Sequence, residues 1–506
     1  MNSLLFKSIW ESIKSNFTIS ILLLTGIVLS CKKEIVTEAP KITDTWQIQW
    51  VNVNQEQIVD EKARTLQLRG INVRVNGLFD VEHSDGRRAN EIIPEITQRD
   101  IQDIAKMGFN FVRLPINWSG YEPEKDQFST TYLNRIKEVV SWCKQENLYV
   151  QLDWHFDAYS KEIGEDGAPY WAVLPTIFPK VEGILDFNQL FLLRANPFCF
   201  LAYRNFFSNT SGIQDEFFTC WTNIIEAFKD ENAIIGFEPM NEPICYAAGM
   251  SDAVFMDFYK KCSQKMRAID SRHLLWLEPD AIRNFLNLSP LPTQQFPDTK
   301  IVYCPHYYPN LTAGASYNQV AGWKSIMKTP MDRIVEEAHA WHAPVCLNEW
   351  GINPSTVPGK AYIPAMREMA EARNIHQAFW VWKEPLPGTS GKDGNWGFYD
   401  HISGNNQWTE RTVVKKDFAV PYVMAMPGIM QSHYFNTSTR ELKCAFLTND
   451  SEYGPVVYIN PDWYPDGYSV YVNGIKTGTE ADTYHRVSIA WSSANSGGIL
   501  LEVKPD

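Results

Sequence analysis

Two glutamates carry the most chemistry in this sequence. Glu242 stands in Ile234-Ile235-Gly236-Phe237-Glu238-Pro239-Met240-Asn241-Glu242-Pro243, and Glu349 in Val345-Cys346-Leu347-Asn348-Glu349-Trp350-Gly351. Each follows an asparagine and ends a short apolar run that reads as a buried strand. Two acids at the ends of separate strands can face one reacting bond, one protonated and the other ionised, as hydrolysis of a glycosidic bond requires. Taken singly, Glu242 also reads as a cap on the following helix and Glu349 as a solvated loop acid. Together they favour chemistry. In that reading Glu242 is the acid/base, because Asn241 beside it can donate to a sugar 2-hydroxyl. Glu349 is the nucleophile, with Tyr308 as a donor that keeps its carboxylate ionised and oriented. His155 and His306 suit hydroxyl recognition, Asp157 can accept from sugar hydroxyls, and either Trp380 or Trp382 can stack under a sugar's apolar face. Each also has a purely structural reading, as core histidine, loop cap or packed ring.

Elements able to position these side chains follow from periodicity. Strand patterns fall at Leu66–Asn72, Phe109–Pro115, Leu148–Trp154, Ala233–Pro239, Leu274–Glu278, Ile301–His306, Val345–Glu349 and Ala378–Lys383. Amphipathic patterns separate most of them, at Arg99–Lys106, Tyr132–Glu146, Gln214–Phe228, Ala253–Ala268, Met331–His339 and Ala361–Arg373. This alternation predicts an α/β fold, a (β/α)8 TIM barrel, over residues 56–425. A doubly wound sheet is the alternative, but its glycine-rich phosphate loop is missing after the first strand. Asn72, His155, Asp157, Asn241, Glu242, His306, Tyr308, Glu349, Trp380 and Trp382 all fall at or near C-terminal strand ends, where barrel enzymes place their chemistry. The connection 157–213 is unusually long and rich in aromatics, among them Tyr170, Trp171, Phe198, Phe200, Phe206 and Phe207. It reads equally as a lid that receives an apolar part of the substrate or as a subdomain with its own core. Residues 426–506 alternate like short strands between turn signals such as Asn473-Gly474, which predicts a C-terminal antiparallel β-sandwich domain.

The N-terminus reads as a targeting segment. Lys7 and Lys14 precede the apolar run Ile19–Leu29, which ends in Val28-Leu29-Ser30-Cys31. That run is short for a membrane span and resembles a lipoprotein signal, so residues 1–31 are expected to be a signal peptide with Cys31 as the lipidated mature terminus. An uncleaved anchor and ordinary cleavage with secretion are the alternatives. Residues 32–55 read as a tether. The expected location is outside the cytoplasm, lipid-anchored to a bacterial membrane or cell surface. Eight further cysteines permit disulfides in an exported chain but lack metal-ligand spacing, and several sit in apolar patterns as core thiols. A net charge of −13 with no basic cluster argues against a nucleic-acid partner.

The motifs also resemble a known family. Arg69-Gly70-Ile71-Asn72, Val112-Arg113-Leu114-Pro115, Met240-Asn241-Glu242-Pro243, His306-Tyr307-Tyr308 and Asn348-Glu349-Trp350-Gly351 are similar to the retaining hydrolases of glycoside hydrolase family 5. Leu152–Ser160, Gly167–Ala172 and Tyr464–Tyr468 resemble its endoglycoceramidase branch, and the resemblance covers about residues 64–506. It implies Glu242 as acid/base, Glu349 as nucleophile, and His155, Asp157, Asn241, Tyr308 and a strand-8 tryptophan as sugar-binding. The implied substrate is a glycosphingolipid, cleaved between oligosaccharide and ceramide, by a chain expected to act as a monomer. Double displacement needs no metal or cofactor, and none is expected. Some endoglycoceramidases carry a lysine shortly after the first strand, where this chain has Asn76, so glucose or galactose as first sugar stays open. A β-glucan endohydrolase, a steryl-β-glucosidase and a catalytically inactive surface glycan-binding lipoprotein are the other readings.

Overall fold

The computed structural model describes residues 45–185, 187–286, 296–308, 321–384, 396–402, 407–449, 451–492 and 495–506. Cys31 and the targeting segment lie outside the described residues.

Eight strands form the centre: β1 Arg69–Asn72, β2 Phe111–Ile116, β3 Tyr149–Trp154, β4 Ile234–Glu238, β5 Leu274–Leu277, β6 Ile301–Tyr303, β7 Cys346–Trp350 and β8 His376–Phe379. They pair in parallel in the order β7-β8-β1-β2-β3-β4-β5-β6. Isolated parallel bridges Tyr303–Val345 and Tyr307–Trp350 bring β6 beside β7 and complete the ring. Consecutive strands are neighbours throughout, so the sheet is a near-closed barrel and not doubly wound. Every residue of these strands is buried, which is why each reads as a continuous apolar run. The eighth lies earlier than its pattern suggested, at His376–Phe379, and Trp380 and Trp382 follow it.

Two glycines let the barrel interior fill. A Cβ on Gly70 would meet the Phe111 ring at 2.2 Å, and one on Gly236 the Trp276 ring at 2.4 Å. Phe111 and Trp276 stack face to face across the interior at 5.5 Å. Outside, the helices include Gln98–Lys106, Thr130–Gln145, Ile213–Phe228, Asp252–Arg267, Trp323–Ala340 and Val357–Glu371. Trp323–Ala340 begins before the expected Met331, because the helix continues through Pro330.

The sandwich differs in extent from the sequence reading. Its five-stranded sheet runs Gly428–Asn436, Glu441–Thr448, Gly498–Pro505, Tyr468–Val472 and Ile475–Lys476. What read as one strand from Tyr434 to Phe446 is a hairpin, turning where Asn436 Oδ1 accepts from the Ser438 and Thr439 amides at 2.9 and 3.1 Å. The facing seven-stranded sheet recruits Val51–Asn54, Gln57–Asp60 and Thr65–Leu66 beside Tyr422–Met426, Val456–Tyr458, Arg486–Ile489 and Thr479–Ala481. The tether expected to reach residue 55 therefore gives way to folded chain earlier: Trp46 and Ile48 are buried and Val51–Asn54 is a strand. The sandwich is built from both ends of the sequence rather than from 426–506 alone. Val423, Val457 and Val487 of one sheet pack with Phe435, Leu442 and Leu501 of the other.

The 157–213 connection contains helices Phe187–Arg194 and Pro197–Phe207, the second started by Asn196, whose side chain accepts from the Phe198 amide. Phe206 and Phe207 are buried against Phe255 and Phe258. These two rings are part of the main hydrophobic core that includes the barrel and are not a lid. Phe198 and Phe200 are partly buried. The apolar side chains that face solvent here are Tyr170, Ile177, Ile184, Leu192 and Leu201, with Ile177 84% and Leu192 69% exposed.

Candidate active site

The barrel's C-terminal end converts an apolar core into a buried polar network. Arg113, in the middle of β2, is a charge that the interior must neutralise, and acceptors from neighbouring elements do so. Its Nε and Nη2 donate to Glu238 at 3.0 and 3.1 Å, and Nη2 also donates to Asn241 Oδ1 at 2.9 Å. Its Nη1 donates to Glu349 Oε1 at 2.7 Å and to Asn72 Oδ1 at 3.1 Å. Asp153 Oδ2 lies 3.0 Å from Nη2. Glu238 also accepts from Gln151 at 2.7 Å and from Asn348 at 2.9 Å.

The two glutamates meet inside this network, with carboxylate oxygens within 4.8 Å of one another. Their surroundings differ. Glu349, at the end of β7, accepts from Arg113 on Oε1 and from the Tyr308 hydroxyl on Oε2 at 2.8 Å. Glu242 follows β4 in the left-handed region at φ 41° and donates its amide to Glu278 Oε2 at 2.6 Å. A non-glycine residue there is strained by about 1–3 kcal/mol and must be held by its neighbours. Its Oε1 lies 2.9 Å from His306 Nδ1 and its Oε2 2.5 Å from Arg194 Nη1. Burial pushes the Glu242 carboxyl up to about 7, with Arg194 opposing and Asp157 assisting.

The histidines also differ. Burial lowers His306 to about 3, so it is neutral, with Nδ1 set among Glu242, Glu278 and Glu349. His155 is equally buried, but Asp153 at 2.6 Å and Asp157 at 3.2 Å outweigh burial and hold it well above its ordinary range, charged rather than neutral. Burial would raise Asp157, yet Arg194 and His155 keep it low. Asp157 Oδ1 accepts from Asn241 Nδ2 at 3.2 Å. Trp380 is half-buried and stacks on His155 with centroids 5.5 Å apart. Trp382 is fully buried away from this cluster, donating Nε1 to Asp100 at 3.0 Å and packing on Phe398 and Tyr399. Of the two strand-8 tryptophans, only Trp380 stands at the site, and Trp382 is corrected to a packing residue.

His155, Asp157, Asn241, Glu242, His306, Tyr308, Glu349 and Trp380 are thus brought together. Arg194, Arg113, Glu238 and Glu278 belong with them and were not assigned roles from sequence. A charge within the apolar strands Phe111–Ile116 and Ile234–Glu238 was the available signal for Arg113 and Glu238. Arg194 left none, because it arrives through the fold of the long insertion. The acid–imidazole groupings His155–Asp157–Asp166, Glu238–Glu278–His306 and Glu242–His306–Glu349 are spaced closely enough for a cation. Arg113 and Arg194 already supply positive charge to their carboxylates, so the donor set suits proton chemistry better than metal binding. All eight cysteines in the described residues are buried and free, which settles them as core thiols.

A near-closed parallel barrel with paired glutamates at its C-terminal mouth defines a glycosidase class of fold, and the model of the cellulase family (glycosyl hydrolase family 5) matches residues 59–385. The chain belongs to glycosyl hydrolase family 5. Within the family its likeness is to the endoglycoceramidases. It is 23% identical over 445 residues to endoglycoceramidase I of Rhodococcus hoagii (strain 103S), covering 82% of this chain and 81% of that one. It is 24% identical over 260 residues to an endoglycoceramidase of Hydra vulgaris, covering 45% of this chain and 49% of the relative, so the match spans about half of that protein. The structure of endo-glycoceramidase II from Rhodococcus sp. superposes with a TM-score of 0.71 at 23% identity, over 88% of this chain and 99% of that one. At that identity the superposition speaks for the shared fold.

Proposed function

We propose that this chain is a retaining endo-glycosidase that hydrolyses the β-glycosidic bond between oligosaccharide and ceramide in glycosphingolipids. The observation that carries this reading is the close pair Glu242 and Glu349, held in unlike environments beside an insertion that presents apolar side chains to solvent. Retention goes with carboxyl groups roughly 5–5.5 Å apart, and inversion with a gap wide enough for water between them. The Glu349 carboxylate, oriented by Arg113 and Tyr308, attacks the anomeric carbon as the glycosidic bond breaks. Protonated Glu242 gives its proton to the departing oxygen. The glycosyl–Glu349 ester then reacts with water, whose proton passes to Glu242, restoring both groups. Trp380 supports the reacting sugar, and Asn241 and His155 line its hydroxyl-binding wall. Leu192, exposed two residues before Arg194, gives a lipid aglycone an apolar contact beside the mouth.

The reading extends to location. Lipid on Cys31 would tether the enzyme at a membrane, and apolar side chains of the insertion, rather than the net charge of −13, would make contact with the substrate bilayer. Among the described residues no helix is long and apolar enough to cross a membrane. Incubation with gangliosides, galactosylceramide-based glycans, steryl glucosides and cellulose tests the substrate. Release of intact oligosaccharide and ceramide supports the proposal, whereas turnover of steryl glucoside or cellulose alone would refute it. Labelling cells with a radioactive fatty acid tests the anchor: label should enter the wild-type chain and not Cys31→Ser.

A further inference from the structure

Arg194 is the last residue of helix Phe187–Arg194 in the insertion, and its guanidinium spans three carboxylates. Nη1 donates to Glu242 Oε2 at 2.5 Å, Nη2 lies 2.9 Å from Asp157 Oδ2, and Nε donates to Glu165 at 2.8 Å. Its side chain is 19% exposed, whereas that of Arg113 is wholly buried, so Arg194 borders the open mouth. Two facts about Glu242 then conflict. The other oxygen, Oε1, lies 2.9 Å from His306 Nδ1 and is taken up there, whichever of the two carries the proton. A general acid needs a proton on one of those oxygens, pointed at the departing atom. Oε2 can carry it only if Arg194 turns away.

The acid stands on the leaving-group side of the bond, so whatever displaces Arg194 comes from the aglycone. Leu192, two residues earlier on the same helix, is largely exposed and apolar, which places Arg194 where an apolar tail would join a polar head. In ceramide the carbon next to the glycosidic one bears an amide through its nitrogen, with the carbonyl one atom further, and the carbon after it bears a hydroxyl. A sterol or simple alkyl aglycone has neither. A guanidinium can exchange a carboxylate oxygen for such acceptors while Asp157 and Glu165 keep hold of it.

We propose that Arg194 is a specificity-determining residue that reads the aglycone: it holds Glu242 Oε2 until a hydroxyl or amide carbonyl beside the glycosidic oxygen takes that place, which frees the acid to be protonated. This rests on the assignment of Glu242 as acid/base and of a ceramide-linked substrate. The other groups facing Glu242 are Asp157 and His155 from β3 and its loop, Glu165 from the insertion, Glu278 from the end of β5, His306 after β6, Glu349 from β7 and Arg113 from β2. Of these, Asp157 and Glu165 also pair with Arg194, so a shift in the acid's behaviour on changing Arg194 reports the loss of its guanidinium from this whole carboxylate group.

The test uses the full chain as wild type, Arg194→Leu and Arg194→Lys, on three lactosides: lactosylceramide, octyl β-lactoside and an aryl β-lactoside with a good leaving group. The ratio of kcat/KM for lactosylceramide over octyl lactoside should fall about 10- to 100-fold in both variants, the range expected for losing a charge-assisted contact made only with the polar head. The octyl lactoside offers nothing to draw Arg194 off Glu242, so its kcat/KM should rise in Arg194→Leu, and the ratio is read against that rise. With the positive charge gone, Glu242 should keep its proton to higher pH, moving the alkaline limb of octyl-lactoside kcat/KM, which depends on the acid, upward by about one unit in Arg194→Leu, and much less in Arg194→Lys. A ratio that stays at its wild-type value in both variants overturns the proposal, as does an unmoved limb in Arg194→Leu. Should Arg194→Leu not fold, the Arg194→Lys ratio decides. A wild-type enzyme that hydrolyses the aryl lactoside but not lactosylceramide would sink the ceramide assignment, and the aglycone role with it. The limb would still show whether Arg194 governs Glu242.

Discussion

Glu242 and Glu349 are chemically identical, and the structure separates them by what touches each oxygen. Glu349 accepts from Arg113 on one oxygen and from Tyr308 on the other, which fixes its orientation. Glu242 is raised from its ordinary 4.5 to about 7, by burial foremost, with Arg194 opposing and Asp157 assisting. It is protonated below that value and ionised above it. Cleavage of substrates with poor leaving groups should therefore decline as pH rises through about 7, while an activated aryl glycoside declines less, because it needs little acid assistance. Parallel pH profiles of kcat/KM on the two substrate types check this; superimposable alkaline limbs would mean that Glu242 is not the acid. The same shift bears on stability. The folded chain binds this proton more tightly than the unfolded chain, so its contribution is complete below about 4.5 and lost as pH rises through about 7.

At the scale of elements, the insertion divides into side chains that hold it together and side chains that it offers to solvent. Phe206→Ala removes a buried ring from the cluster with Phe217 and Phe258 and should cost about 3–5 kcal/mol, lowering activity on all substrates through loss of folded enzyme. Leu192→Ser should leave the unfolding midpoint nearly unchanged and reduce activity only on lipid-linked glycans. Unfolding curves read beside rates on ceramide-linked and aryl glycosides distinguish the two, and equal loss on both substrates in Leu192→Ser would remove the insertion from substrate binding. Before this division was visible, the aromatics of 157–213 were indistinguishable, because burial on a short helix depends on which face meets Phe255 and Phe258. The barrel strands were legible since a parallel strand covered on both faces is apolar along its whole length. The first three strands of the sandwich were not, because half-exposed residues such as Asn52, Asn54 and Gln57 hide a strand within polar sequence. Trp382 misled for a related reason: two residues from Trp380 in an apolar run, it turns toward the Gln98–Lys106 helix rather than the mouth.

For the whole molecule, the barrel and sandwich share their foundations. Tyr422 of the sandwich donates to the Gly108 carbonyl at 2.8 Å, and Tyr458 donates to that of Lys106 at 2.9 Å, both beneath the second barrel strand. Of the strands of residues 51–66, Thr65–Leu66 pairs with Tyr422–Met426, whose residues are all buried, so removing them would expose a hydrophobic sheet edge. A chain truncated to 45–506 should fold as well as the full chain and cleave ceramide-linked glycans in detergent, while one truncated to 67–506 should aggregate. Solubility and melting curves of the two check this, and a soluble, cooperatively folded 67–506 chain would show that the N-terminal strands are dispensable. The central claim, that two glutamates on one barrel mouth divide a retaining reaction between them, is tested most directly by trapping its intermediate. A 2-deoxy-2-fluoro lactosyl fluoride, which slows release more than attack, should inactivate the enzyme by adding one fluorinated lactosyl group, and peptide mapping should place it on Glu349. A label on Glu242, or inactivation with no covalent sugar and product of inverted anomeric configuration, would contradict the account.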